Sequence, residues 1–297
     1  MDTTRRAAAE MTAAMAILGT IGWFVLVSGQ SALQVVFWRC AFGAVTLLII
    51  CAALGLFRTR IGWRTLGLAA LGGVAIVLNW VLLFSAYKHA SIAVATVVYN
   101  VQPFILVLFG VLVFKERPTV SKLAWLALAF GGVVLIVLAK PATSTEGDYL
   151  LGIVLALCAA LGWAIAAVIT KRLAGTPPHL IALVQVVVGT LMLAPFAELQ
   201  VLPSAAGTWA VLVTLGVVHT GLVYILMYGA IQKLATHVQG ALSFVYPVVA
   251  ILVDVVAFGR TIQPIQIVGA VAVLLAAAGT TLGWSWRPAR QEATAKP

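Results

Sequence analysis

The chain has 297 residues, of which 63% are apolar and only 9% are charged, and its formal net charge is +10. Soluble globular domains carry about 25% charged residues and less than half apolar residues, so this composition excludes a water-soluble domain and indicates a protein folded in lipid. The basic residues do not indicate nucleic-acid binding, because they lie in short links between apolar stretches, the pattern that the positive-inside rule produces.

Ten apolar stretches follow one another along the chain, each near the roughly 20 residues that a helix needs to cross a bilayer. The links between them are short and contain turn residues such as glycine and proline. We therefore predict an all-α polytopic membrane protein with ten transmembrane helices. Their approximate bounds are 11–28, 33–56, 65–87, 91–114, 121–139, 149–170, 180–198, 208–231, 236–258 and 264–284.

Lys and Arg are distributed unequally between the two sides of these predicted spans. Lys88, Lys140 and Arg260 fall in links on one side, Arg39 lies within a span, and all the others fall on the side of the N-terminus. Because basic links stay in the cytoplasm, we predict that both termini are cytoplasmic.

The fourth predicted helix is repeated in the second half of the chain. Residues 91–116 align without a gap with residues 235–260, and Pro103 falls on Pro247. With five helices in each half, the second half begins on the opposite side of the membrane. We predict an inverted repeat, formed by residues 1–145 and 146–297, with a broken or bent helix in each half, as in many secondary transporters.

Polar residues form one stripe on each of the proline-bearing helices. The stripes carry Tyr99 and Gln102 in the first half and Ser243 and Tyr246 at the equivalent positions in the second. Each proline also frees the carbonyl four residues earlier, and such a carbonyl is tolerated at membrane depth only inside protein or along a cavity. We predict that the stripes face a central cavity, where the two carbonyls accept hydrogen bonds from a substrate ammonium. The alternative is a packing kink satisfied by a neighbouring helix.

Aromatic residues recur at equivalent positions of other predicted helices. Trp80 in the third helix is equivalent to Tyr224 in the eighth, and Trp23 in the first to Trp163 in the sixth. Asn79 and His219 are polar residues beside the first pair. Aromatic walls with a few polar groups suit a small amphipathic organic molecule, although helix packing explains any single ring equally well. We predict a substrate site that also includes Trp23, Asn79, Trp80, Trp163, His219, Tyr224 and Tyr228.

Two charges, Arg39 and Asp254, lie within predicted spans at similar depths. An intramembrane charge indicates function by default, but a mutual ion pair or snorkelling explains both residues at least as well. We assign Arg39, Asp254, Pro103 and Pro247 to structure and gating.

No set of residues suits metal binding, a cofactor or catalysis, so we predict a protein that is not an enzyme. The cysteines, Cys40, Cys51 and Cys158, lack metal-ligand spacing and are interpreted as small core residues. Glu116 lies in a cytoplasmic turn among Lys115, Arg117 and Lys122, where a salt bridge within the loop is the simplest interpretation.

Several local sequences, in this order, are similar to the EamA-type exporter branch of the drug/metabolite transporter superfamily. They are Gly22-Trp23, Phe37-Trp38-Arg39, Pro103 followed by Phe114-Lys115-Glu116-Arg117, Trp163 with Lys171-Arg172, and Pro247. One departure is Arg260, which stands where this family usually has an acidic residue. The resemblance is greatest to the amino-acid exporters of the YddG type.

This resemblance implies a bacterial inner-membrane protein that exports aromatic and other neutral amino acids by alternating access. The alternative is an exporter of another metabolite or a drug-like organic cation on the same scaffold. The expected partners are therefore a small-molecule substrate and the lipid bilayer. Small residues in the fifth and tenth predicted helices, such as Gly132 and Gly269, fit either packing within the bundle or a homodimer.

Overall fold

The regular elements of the computed structural model are helices throughout the residues that it describes, which are 3–89, 95, 98–138, 149–197, 202–258, 263–282 and 284. In chain order these helices are α1 (Thr3–Gly19), α2 (Ile21–Ser28), α3 (Ala32–Ala53), α4 (Trp63–His89), α5 (Gln102–Phe114), α6 (Val120–Leu138), α7 (Tyr149–Arg172), α8 (Pro178–Leu193), α9 (Ala206–Gly216), α10 (Val223–Ile231), α11 (Thr236–Ser243), α12 (Val245–Phe258) and α13 (Pro264–Leu282). Short 3₁₀ turns lie at Leu56–Arg58 and Ala194–Phe196, and a π-helical segment, Val217–Leu222, joins α9 to α10.

Among the described residues, six helical segments are long and apolar enough to cross a membrane. They are Thr3–Ser28, Ala32–Ala53, Trp63–Ala86, Leu150–Arg172, Pro178–Phe196 and Ala206–Ile231. Shorter apolar helices cover Gln102–Phe114, Val120–Leu135 and Ile267–Thr280. Large apolar side chains such as Leu112 and Val256 are exposed, at 66% and 86%, whereas Asn79 is completely buried. Apolar residues outside and polar residues inside are expected of a protein that is solvated by lipid, and the prediction of an all-helical membrane protein is confirmed.

Regular helix is interrupted ahead of each of the two repeated prolines. The chain turns at Asn100 and Val101 before Pro103, and at Phe244 before Pro247. A proline has no N–H group and its ring clashes with the preceding turn, so the helix ends before it and begins again. A third interruption, at Thr20 between α1 and α2, has no proline and was not expected from the sequence.

The two halves of the chain pack mostly against each other. Helix α3 packs on α8 and α9, α4 on α7 and α8, α5 on α7 and α11, α6 on α13, and α1 on α10 and α12. At the α6–α13 contact, a Cβ atom added to Gly132 would lie 2.6 Å from the carbonyl oxygen of Gly269. These two glycines therefore serve packing within the bundle.

The cysteines are free, and Cys40 and Cys51 are buried as predicted. Cys158 is exposed on α7, so its assignment to the core was wrong. A small, weakly polar side chain is tolerated on a surface that faces lipid, and the apolar run around it gave no sign of which face it would occupy.

Candidate substrate site

Arg39, on α3, lies at the centre of a cluster of aromatic and polar side chains and is only 2% exposed. Its Nε donates a hydrogen bond to Thr220 Oγ1 at 2.9 Å, and its Nη2 donates to the carbonyl oxygen of His219 at 3.2 Å. The guanidinium carbon lies 4.1 Å from the centroid of the Trp80 ring, which is a cation–π geometry. One charged group therefore joins α3, α4 and the π-helical segment.

The π-helical segment brings Thr220 to this arginine. The Thr220 hydroxyl donates to the carbonyl of Leu215, five residues earlier, at 2.9 Å while it accepts from Arg39. Gly43 permits the close approach of α3, because a Cβ atom added there would lie 2.8 Å from Thr220 Cγ2. Single π turns inside α-helices are frequent at functional sites. Thr220 was not among the predicted residues, although a hydroxyl beside His219 in an apolar span was a signal for it.

Three predicted aromatic residues form a continuous row beside Arg39. Trp80 meets Tyr224 edge to face with ring centroids 5.9 Å apart, and Tyr224 meets Tyr228 at 5.0 Å. The Tyr228 hydroxyl donates to Gln185 Oε1. Trp163 is buried in the same hydrophobic core. The side chains of Trp80, Trp163, Tyr224 and Tyr228 are nearly inaccessible in this conformation.

Asn79 and Tyr99, from different predicted helices, contact each other. Asn79 Nδ2 donates to the Tyr99 hydroxyl at 3.2 Å and to the carbonyl oxygen of Ala159 at 2.7 Å. Because a carbonyl can only accept, the second bond fixes the orientation of the amide. Asn79 Oδ1 is buried and has no hydrogen-bond partner among the described residues. The same holds for Gln102 Oε1.

Tyrosines from both halves of the chain lie within electrostatic range of the guanidinium. Tyr99, Tyr224 and Tyr246 all lie close enough to Arg39 to interact with it electrostatically. The structure thus gathers around Arg39 several residues that were predicted to bind substrate. Arg39 itself was assigned to structure and gating, but it occupies the middle of that set.

The side chains of the remaining predicted residues make their described contacts away from Arg39, although the backbone carbonyl of His219 accepts from it. The Nε2 atom of His219 is 2.8 Å from Thr20 Oγ1 and its ring packs on Phe24, so the ring contacts the break between α1 and α2. Ser243 Oγ donates to the carbonyl of Gln239 within α11 at 2.8 Å. Trp23 lines a cavity of about 370 Å³, together with Thr20, Phe24, Leu252, Val253, Val256 and Ala257.

Of the predicted gating residues, Pro103 lies where α5 crosses α11, since a Cβ atom added to Gly240 would be 3.1 Å from Pro103 Cβ. Pro247 follows the interruption at Phe244. The side chain of Asp254 lies outside the described residues, so the suggested ion pair with Arg39 stays a prediction.

A second polar group, which is partly buried, lies near the predicted cytoplasmic ends of α5, α7 and α11. Glu116 Oε1 accepts from Lys171 Nζ, while Oε2 accepts from the Thr236 hydroxyl at 2.6 Å and from the Thr236 amide at 3.0 Å. Lys171 Nζ also donates to the carbonyl of Leu234 at 3.0 Å. The interpretation of Glu116 as the partner of basic residues in its own loop was therefore wrong. We call this set the Glu116 junction.

Local backbone geometry aims the Glu116 carboxylate away from its own loop. Lys115 adopts the left-handed conformation, with φ of 55°, and the amide of Glu116 donates back to the carbonyl of Gly110 at 3.0 Å. This cap ends α5 and turns the carboxylate to the first residue of α11. Burial alone would raise the pKa of Glu116, but the hydrogen bonds from Lys171 and Thr236 outweigh it and hold the pKa below its usual value.

Long apolar helices with polar groups inside define a polytopic membrane protein, and a buried charged and aromatic cluster at membrane depth is typical of transporters. The chain belongs to the EamA-like transporter family, whose model matches residues 7–138 and 150–282. It is therefore a membrane transporter and not an enzyme. The predicted family is confirmed.

Relatives with similar sequences are also named as transporters. The chain is 28% identical to the uncharacterized transporter YxxF of Bacillus subtilis over 289 residues, which are 97% of this chain and 92% of that protein. It is 26% identical to an uncharacterized transporter of Archaeoglobus fulgidus over 270 residues, covering 90% of this chain and 92% of the relative. It is 28% identical over 212 residues to a protein of Salmonella typhimurium named "Probable amino-acid metabolite efflux pump", covering 66% of this chain and 70% of that protein.

One solved crystal structure has the same fold. It superposes with a TM-score of 0.81 over 93% of this chain and 96% of the other, at 21% sequence identity.

Proposed function

We propose that this transporter exports small amphipathic solutes, above all aromatic and other neutral amino acids, from the bacterial cytoplasm across the inner membrane. The observation that carries the proposal is the cluster around Arg39, where aromatic rings and unsatisfied polar atoms lie together inside the bundle. A site for an amino acid needs both kinds of group. The similarity to a protein named as an amino-acid metabolite efflux pump supports the same substrate class.

We propose further that the bundle has ten transmembrane helices in two inverted repeats, with both termini in the cytoplasm. The matches of one family model to residues 7–138 and 150–282 support the duplication. The helix interruptions before Pro103 and Pro247 support it at one pair of equivalent positions. The uneven placement of Lys and Arg supports the orientation.

In this proposal, transport proceeds by alternating access. Trp80, Trp163 and Tyr224 are each less than a tenth exposed, so a substrate reaches them only when the packed helices move apart. Helices from the two halves of the chain meet at the cluster. Rocking of one half against the other therefore opens the site to one side of the membrane and then to the other.

The alternative substrate, a drug-like organic cation, fits the aromatic rings but not the charge at their centre. Arg39 would repel a cation at close range in a medium of low dielectric constant. A zwitterionic amino acid has no net charge and brings its own carboxylate. The cluster therefore favours amino acids over organic cations.

Counterflow into proteoliposomes tests the proposal. Purified protein is reconstituted, the vesicles are loaded with an unlabelled neutral amino acid, and uptake of the labelled compound is followed. We expect uptake above that of protein-free vesicles, and we expect Trp80→Ala to abolish it. Trp63→Ala is the matched control, because Trp63 is 87% exposed. Absence of protein-dependent uptake for every neutral amino acid would disprove the assigned substrate class.

A further inference from the structure

We infer that Arg39 is the docking point for the carboxylate of the transported solute, an inference that rests on the proposed transport function. A guanidinium presents two edges, each with two N–H groups, that can hold a carboxylate. The edge formed by Nε and Nη2 is occupied by Thr220 Oγ1 and the His219 carbonyl. The other edge, formed by Nη1 and the second hydrogen of Nη2, carries no hydrogen bond to any of the described residues.

The described residues around Arg39 hold its charge without supplying a carboxylate counter-ion. Thr220 and the His219 carbonyl contribute dipoles, and the face of Trp80 contributes a quadrupole. None of the described carboxylates pairs with Arg39, whereas the ion pairs found elsewhere join Arg6 or Lys233 to Glu10 and Lys171 to Glu116. A buried charge with an open edge gains much from an anionic ligand, because water competes poorly at this depth.

Asn79 supplies a matching acceptor for an ammonium group. It precedes Trp80 on α4, and its Nδ2 is committed to Ala159 and Tyr99, so Oδ1 remains available. Tyr99 accepts a hydrogen bond from the same amide nitrogen of Asn79. A donor edge, an open acceptor and the flanking rings of Trp80 and Tyr224 suit an α-amino acid in its zwitterionic form.

The structure therefore assigns specificity for the carboxylate to this edge. Phenylalanine, which has a carboxylate, an ammonium and an aromatic ring, is the reference ligand. Its amide and phenethylamine keep the ammonium and the ring but lack the carboxylate. We expect both analogues to bind at least about 30-fold more weakly, the cost of leaving a buried charge without its partner.

The experiment uses the wild-type protein first, so that it does not depend on the folding of a variant. Binding of phenylalanine, its amide and phenethylamine is measured by thermal shift in detergent, and counterflow is measured in proteoliposomes with the same compounds as competitors. Stabilisation and competition by phenylalanine alone would support the inference. Equal effects of all three compounds would overturn it while leaving the proposed transport intact.

Two further outcomes separate the inference from the proposed function. If phenylalanine stabilises the protein more than its amide but no neutral amino acid is transported, the carboxylate site stands and the proposed function fails. If no compound binds and none is transported, both fail.

Variants then locate the site. Arg39→Gln is expected to lose the preference for phenylalanine over its amide, and Arg39→Lys to retain only part of it, because an ammonium cannot offer a paired edge. Arg64→Gln, an exposed arginine, is the matched control and should keep the full preference. If Arg39→Gln keeps the preference as well, the carboxylate binds elsewhere and the inference is wrong.

Discussion

Two charges, the buried Arg39 and the partly buried Glu116, each join helices from both halves of the chain, and they differ in how completely they are paired. Glu116 has a counter-ion, Lys171, and two further donors from Thr236. Arg39 has a hydroxyl, a carbonyl and an aromatic face, but no counter-ion among the residues that the structure describes. A paired charge fastens helices together, whereas an open one is suited to a ligand. We therefore expect substitution of Arg39 to impair transport and substitution of Glu116 to impair stability.

The largest effect is expected at Arg39, and on transport rather than on folding. Arg39→Met removes the proposed docking edge, so counterflow should fall by at least about 30-fold. The free energy of unfolding should change by less than about 1 kcal/mol, because removal of a buried charge also removes its desolvation cost. Unfolding in detergent and counterflow are measured on the same preparation. A strongly destabilised variant would show that Arg39, like Glu116, stabilises the packing of the helices.

The second effect is expected at the Glu116 junction. Glu116→Ala leaves the Lys171 ammonium without its counter-ion and removes the cap of α11. The free energy of unfolding should therefore fall by roughly 2–3 kcal/mol. Arg6→Gln is the control, because it breaks an ion pair whose arginine side chain is 74% exposed, and such pairs contribute about 0–1 kcal/mol. Equal stability of the two variants would remove the contrast between the junction and an ordinary surface pair.

A smaller effect is expected where α5 meets α11. A Cβ atom at Gly110 would lie 2.1 Å from Thr236 Oγ1, so Gly110→Ala should separate the helices and destabilise the protein by about 1–2 kcal/mol. Gly131→Ala is the matched control, since nothing lies within 4 Å of the added atom. Chemical unfolding of both variants measures the difference, and no difference would show that the junction tolerates displacement.

The smallest effect is a pH dependence of the Glu116 junction. The folded state holds the pKa of Glu116 below its ordinary 4.5, so the unfolded chain binds the proton first as the pH falls. The contribution of Glu116 to stability is therefore complete above about pH 5 and is lost as the pH falls through the lowered folded value. Stability measured between pH 7 and pH 3 should decline less in Glu116→Gln. Parallel curves for the two proteins would contradict this assignment.

The features of the fold and site that follow from composition and local chemistry could be predicted from the sequence. Apolar length predicted the membrane-spanning helices, and the repeated prolines predicted the interruptions at Asn100–Val101 and Phe244. Matched aromatic positions predicted the residues of the row from Trp80 to Tyr228.

The features that could not be predicted from the sequence depend on contacts between residues that are distant in the chain. Lys171 lies 55 residues from Glu116, so the loop neighbours of Glu116 suggested the wrong partner. Thr220 contacts Arg39 from a π-helical turn that packs closely on Gly43, and neither that turn nor that contact can be read from an apolar run. The face that Cys158 occupies likewise depends on packing.

The packing of the early helices against the late ones has a consequence for biosynthesis. Residues 3–138 are translated and inserted first, but α4 needs α7 and α8, and α6 needs α13, to cover their inner faces. Asn79 gains its second acceptor, the carbonyl of Ala159, only after α7 has entered the membrane. A ribosome that stalls midway would leave a half-length chain with polar groups facing lipid. Membrane proteases could recognise such a chain by these exposed polar groups.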